Sequence, residues 1–108
     1  MADKTKAAVY CRSALADESK IKAQEEMLCD YAKKQQLDIS GIYSDNGASG
    51  ATFRRPAFNE MMNGIENGGI NCVIVKGISR IGRDYLKVSN WLDDMRERNV
   101  RVISLETA

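Results

Sequence analysis

Val73-Ile74-Val75-Lys76-Gly77-Ile78-Ser79-Arg80-Ile81-Gly82-Arg83-Asp84 is the stretch on whose reading the fold turns. Its first three residues are a short apolar run of the kind buried inside a parallel sheet. The run gives way abruptly to Lys76-Gly77 and then to Arg80 and Arg83. A helical turn would put arginines three apart on one face. Ser79 can cap such a turn, and Gly82 leaves room for a close backbone approach. A strand ending in a fork of guanidiniums describes an anion site at the carboxyl edge of an α/β sheet. The plainer reading is a pair of surface arginines at a helix start.

Working outward, Lys6 to Arg12 reads as a first strand. Alternation puts Tyr10, Arg12 and Ala14 on one side of it and Val9, Cys11 and Ser13 on the other. An arginine at the end of a strand suited to burial is costly unless it faces an anion or a carboxylate. Asp17-Glu18-Ser19 supplies a cap and a negative charge for a helix from about Glu18 to Gln35, with Ile21, Gln24, Leu28 and Ala32 at helical spacing. Gln24 stands on that stripe where an apolar residue is expected, either at its rim or turned toward the site. Leu37 to Tyr43 is a second strand, and Ser44-Asp45-Asn46-Gly47-Ala48-Ser49-Gly50 has turn chemistry. Ala51 to Arg55 reads as a mobile loop.

Pro56 suits the first turn of a helix whose buried stripe is Phe58, Met61, Met62 and Ile65, ended by Gly68-Gly69. Ile70 to Val75 is the third strand. Val88, Trp91, Leu92 and Met95 mark a helix from about Asp84 to Arg98, and Val100 to Leu105 is the fourth strand. The alternation predicts an α/β fold of three layers, a mostly parallel four-stranded sheet with helices on both faces. Arg12, the Arg55 loop, the Ser79 turn and Asp45-Asn46 would then meet at the edge where strands end. The chain stops after its fourth strand with no closing helix, which reads as a fragment of a longer protein.

At 108 residues and 44% apolar composition this is one soluble domain. No apolar run approaches the roughly 20 residues of a membrane span, and Met1-Ala2-Asp3-Lys4 is no signal peptide, so the expected location is the cytoplasm. The net charge of +1 does not make a polycation. From Arg54 to Arg83, however, five cations stand against two acids. Cys11, Cys29 and Cys72 lack CxxC spacing and there is no histidine, so buried reduced thiols are expected and no metal site. The missing histidine also excludes a Ser-His-Asp hydrolase, and Ala51 breaks any GxSxG elbow at Ser49.

Taken in order, Tyr10-Cys11-Arg12, Gln24, Tyr43 to Gly50, Arg55-Pro56-Ala57-Phe58, Val73 to Lys76 and Ser79 to Asp84 resemble the catalytic domain of the serine recombinases, the resolvase/invertase family. The similarity is greatest to the large recombinases of mobile elements and covers nearly the whole chain. The resemblance implies a site-specific DNA recombinase. A serine attacks the scissile phosphodiester to form a 5′-phosphoserine link, arginines stabilise the phosphate charge, and no metal or nucleotide cofactor takes part. The positions matching the family's arginines are Arg12, Arg55, Arg80 and Arg83. Gln24 matches a polar position near the site, Asp45 a loop carboxylate, and Ser79 a position where many relatives carry an acid. Rigid bidentate guanidiniums suit a charged phosphorane better than lysines do, each such donor being worth on the order of 10²–10³ in rate. DNA is the implied partner, with dimers pairing into tetramers in a full-length protein. The long helix that mediates such pairing would follow Ala108, so this chain is expected to be monomeric or weakly associating, and the part that reads DNA sequence would be absent.

One departure bears on cleavage. The family pattern is Arg, any residue, Ser, whereas this chain has Arg12-Ser13-Ala14. Ser13 is one residue early and would point to the opposite face of a regular strand. The chain could irregularise after Arg12 and let Ser13 swing in as nucleophile. It could be a relative that binds DNA phosphates without cutting, or the residue could have been replaced to trap an uncut state.

Overall fold

The computed structural model describes residues 5–13, 16–47 and 55–106. The order is β1 (Lys6–Ser13), α1 (Glu18–Lys34), β2 (Asp38–Asn46), α2 (Pro56–Glu66), β3 (Cys72–Val75), a 3-10 turn (Ile78–Arg80), α3 (Tyr85–Glu97) and β4 (Arg101–Ser104). The four strands form one sheet in the order β2-β1-β3-β4. Every pairing is parallel, so the sheet is wholly rather than mostly parallel.

Strand alternation divides the core in two. Ala8, Tyr10, Val73 and Val75 pack with Met61 and Ile65 of α2 and with Val88 and Met95 of α3. Ala7, Val9, Cys11, Cys72 and Ile74 meet Ile21, Leu28 and Ala32 of α1 on the other face. β1 and β3 are apolar on both faces because both are covered. All three cysteines are free, Cys11 and Cys72 buried and Cys29 half-buried.

Capping follows the sequence closely. Asp17 accepts from the amides of Ser19 and Lys20 at the start of α1. Asp84 does the same for Leu86 and Lys87 at the start of α3. Pro56 opens α2, and Gly68, at φ +79°, closes it by donating to the Ile65 carbonyl.

β2 departs from expectation. It does not stop at Tyr43 but continues through Ser44, Asp45 and Asn46, which pair with Cys11, Arg12 and Ser13. The open ladder of β1 supplies partners that override local turn propensity, and the bend comes at Gly47, at φ +85°. β3 begins two residues later than expected, and β4 is one residue shorter at each end. Ala14, the segment Ala48-Ser49-Gly50 and the loop from Ala51 to Arg54 lie outside the described residues. Among the described residues no helix is long and apolar enough to cross a membrane.

Candidate functional site

β1 is flanked by β2 on one side and β3 on the other, with α1 on one face and α2 on the opposite one. The strand order therefore reverses between β1 and β3, and in open α/β sheets the crevice at such a point takes ligands. A cavity of about 530 Å³ opens there, lined by Arg12, Ser13, Gln24, Lys76, Arg80 and Arg83. Lys20, Ala23 and Met27 of α1 complete its wall. Among the described residues this lining holds five cations and no carboxylate.

Arg12 is buried, at 4% exposure, and its guanidinium binds the backbone of the turn after β3. Its Nε donates to the Arg80 carbonyl at 3.0 Å and its Nη2 to the Ser79 carbonyl at 2.6 Å. Arg55 reaches the same turn from the N-terminus of α2. Its Nη1 donates to the carbonyls of Arg80 and Ile81, and its guanidinium lies 4.4 Å over the Phe58 ring. Three successive carbonyls, from Ser79 to Ile81, are thus held by two arginines distant in sequence. Arg55 is not part of the cavity wall. Burial lowers the affinity of Arg12 for its proton, and the charges of Arg55, Arg80 and Arg83 push the same way against Tyr10. Guanidinium basicity is high enough that it stays charged.

The turn itself differs from the sequence reading. It is a single 3-10 turn with Gly77 at its N-cap and no side-chain cap, so Ser79 does not cap it. The Ser79 hydroxyl instead accepts from Arg80 Nη1 at 3.2 Å. Arg83 lies past the end of the turn, yet its side chain shares the cavity with that of Arg80. Among the described residues Arg80 Nε is buried with no acceptor. A buried, charged donor without a partner is costly and calls for an anionic oxygen.

Gln24 is neither at the rim nor free to meet a ligand with its whole amide. It is 8% exposed, accepts from the Arg12 amide at 3.2 Å and donates to the Arg12 carbonyl at 3.4 Å. A polar residue on the apolar stripe of α1 thus replaces, at the end of β1, the ladder partner that the strand lacks there. Ser13 closes β1 in register with Asn46, its carbonyl accepting from Gly47 at 2.8 Å. The strand stays regular through Ser13, so no irregularity after Arg12 is needed to bring this residue to the cavity wall. At a sheet edge the two faces open into one crevice, and residues of both parities reach it.

Asp45 is directed away from this crevice. It is 4% exposed, accepts from the Tyr10 hydroxyl at 2.7 Å and from the amides of Ala57 and Phe58 at 2.9 and 3.0 Å. It thereby satisfies the first turn of α2, whose N-cap residue Arg55 has no capping side chain. Burial and the bond to Asp45 raise the Tyr10 phenol well above its ordinary range. Burial likewise pushes the Cys11 thiol up to about 12, which leaves it no thiolate to act as nucleophile at neutral pH.

Sequence reading missed Lys20, Ala23, Met27 and Lys76 as wall residues. The spacing of Lys20, Ala23, Gln24 and Met27 contained the signal, since it places them on one helical face. It missed Tyr10 as the partner of Asp45 because nothing local connects them.

The family model described as Resolvase, N terminal domain, matches residues 7–108. The structure superposes on the N-terminal catalytic domain of TP901-1 integrase with a TM-score of 0.86 at 29% identity, covering 94% of this chain and 78% of that one. A resolvase family site-specific recombinase from Streptococcus pneumoniae gives 0.80 at 30% identity, covering 94% and 72%. The catalytic domain of ISC1926 TnpA, an IS607-like serine recombinase, shares the fold, with a TM-score of 0.85 at 18% identity over 95% of this chain and 71% of that one. No curated protein matches at significance.

Proposed function

Because the chain belongs to the resolvase family and has the serine recombinase catalytic fold, we propose that its cationic crevice holds a backbone phosphate of DNA for cleavage and rejoining. The observation that carries this reading is the crevice wall at the sheet's switch point, which among the described residues holds five cations and no carboxylate. A phosphate, with its charge spread over several oxygens, is the ligand such a wall fits. Arg80 and Arg83 are the phosphate ligands in this reading. Arg12 and Arg55 act mainly by fixing the turn that presents them.

Ser13 is the candidate nucleophile, as the hydroxyl of the crevice wall. Its oxygen would bond to phosphorus as the bond to the 3′ oxygen breaks, leaving a 5′-phosphoserine. One phosphate ester replaces another, so the bond energy is conserved and no nucleotide cofactor is required. Preorganised guanidiniums would stabilise the charge that builds on the phosphorus oxygens. Ala14 at the family's nucleophile position favours a second reading, a relative that engages DNA phosphates without cutting. In either case the partner is DNA. Dimers and tetramers belong to a full-length recombinase.

Covalent trapping separates the two. The protein is incubated with a pool of nicked suicide duplexes, and adducts are digested and sequenced by mass spectrometry. A phosphoserine at Ser13 supports cleavage. No adduct with the parent, but one with Ala14→Ser, supports binding without cutting. No adduct with either protein and no retention of duplex overturns the DNA-phosphate reading.

A further inference from the structure

At about 530 Å³ the crevice is far larger than one phosphate and lies among clefts that hold whole small molecules, roughly 300–1,000 Å³. Phosphate held by Arg80 and Arg83 leaves open the part walled by α1. There Lys20, Ala23 and Met27 line up along one helical face. Ala23 and Met27 are exposed apolar groups, Met27 at 39%. Lys20 stands on the turn before them, beside its own N-cap Asp17. Lys76, just past β3, contributes a second ammonium to the same crevice. Its ion pair with Glu106 is 3.8 Å long and half-exposed. Pairs of that kind contribute little, so Lys76 can exchange the carboxylate for another anion at low cost.

Resting on the phosphate reading above, we propose that this part of the crevice is a subsite for the nucleotide next to the engaged phosphate. Lys20 and Lys76 take its phosphate, and its sugar and base lie against Ala23 and Met27. A lysine is a compact point charge on a flexible stem, suited to a neighbouring phosphate that shifts, whereas the rigid arginine fork suits the reacting one. The methionine thioether is polarisable and adapts to any aromatic face. Ala23 offers a base edge no polar group and Met27 only a weak thioether acceptor, so the subsite extends the footprint along the strand without reading sequence.

The test titrates the full chain by NMR at low salt with two thymidine oligonucleotides, TpT with one phosphate and TpTpT with two. TpTpT is expected to bind several-fold tighter. Lys20→Ala should abolish that advantage and leave TpT unchanged, and Lys20→Arg should restore it. Lys22→Ala removes an exposed α1 lysine outside the crevice wall and should change neither. Equal affinity of the two ligands for the parent overturns the subsite alone. So does an equal loss from Lys20→Ala and Lys22→Ala, which would mean nonspecific attraction. Failure of TpT and TpTpT alike to bind overturns the phosphate reading itself, a result distinct from the other two.

Discussion

Arg12 donates from Nη2 to the carbonyl of Ser79 at 2.6 Å, while its backbone is gripped from the other side by the Gln24 amide. The end of β1, the face of α1 and the turn after β3 are thus joined through one buried side chain. By these bonds Arg12, which also lines the crevice, fixes the turn that bears Arg80.

Arg12→Ala should therefore destabilise the fold. It removes one donor each from the Ser79 and Arg80 carbonyls at a buried position. The Arg80 carbonyl keeps Arg55, but leaving the Ser79 carbonyl without its donor costs about 1–3 kcal/mol, and the packing of a buried side chain is lost with it, so a loss of roughly 2–4 kcal/mol is expected. In a domain of this size that lowers the melting temperature by roughly 10–20 °C. Arg12→Lys keeps the charge but cannot span both carbonyls and should fall between. Circular dichroism melts check this, and an unchanged melting temperature for Arg12→Ala would remove the clamp from the account.

Arg80→Ala and Arg83→Ala should behave in the opposite way. Their side chains face the crevice, and the carbonyl held by Arg12 and Arg55 is backbone that alanine retains. Arg83→Ala should melt within about 1 kcal/mol of the parent, as surface substitutions do, and Arg80→Ala should melt no lower, since it removes a buried donor that has no acceptor among the described residues. Each should weaken DNA binding and reduce the slope of log affinity against log salt by about one. Fluorescence anisotropy at several salt concentrations measures this. A lost cooperative melt would make these arginines structural.

The fold was readable because β1, β3 and the helix stripes obey simple periods. Ile21, Leu28 and Ala32 take one face, and Met61, Ile65, Val88 and Met95 take the other. The clustering of Arg12, Arg80 and Arg83 was readable because all three fall where strands end. What each side chain does was not. The bonds of Arg12 to the Ser79 turn, of Asp45 to α2 and of Gln24 to β1 run between elements 12 to 68 residues apart. No local pattern encodes them. The extra length of β2 was hidden for the same reason, since Asp45-Asn46 reads as a turn until β1 offers it a ladder.

Tyr10 and Asp45 should be energetically coupled. Tyr10→Phe removes one donor from a carboxylate that still accepts from Ala57 and Phe58, and should cost about 1–2 kcal/mol. Asp45→Ala strands the Tyr10 hydroxyl and two amides of α2 and should cost roughly 2–4 kcal/mol. In the Asp45→Ala background the second change should cost almost nothing, since the hydroxyl then has no acceptor to lose. Urea unfolding of the four proteins gives the cycle. Strict additivity would mean that the bond contributes no net stability.

Stability should also fall in alkali, and the direction follows from proton binding. Unfolded, the Cys11 thiol ionises near its ordinary value of 9.0, whereas the folded protein holds that proton until about 12. Between those values the native state binds more protons than the unfolded chain, so raising pH favours unfolding. Tyr10 acts in the same sense above its ordinary value of 10.0. Each group contributes a slope of up to about 1.4 kcal/mol per pH unit once its unfolded form is ionised. Urea midpoints measured from pH 7 to 11 should be flat at first and then decline from about pH 9. Cys11→Ala should start lower, because a buried group is lost, but decline less steeply between pH 9 and 11. Parallel curves for the two proteins would show that the Cys11 thiol is not what holds the proton.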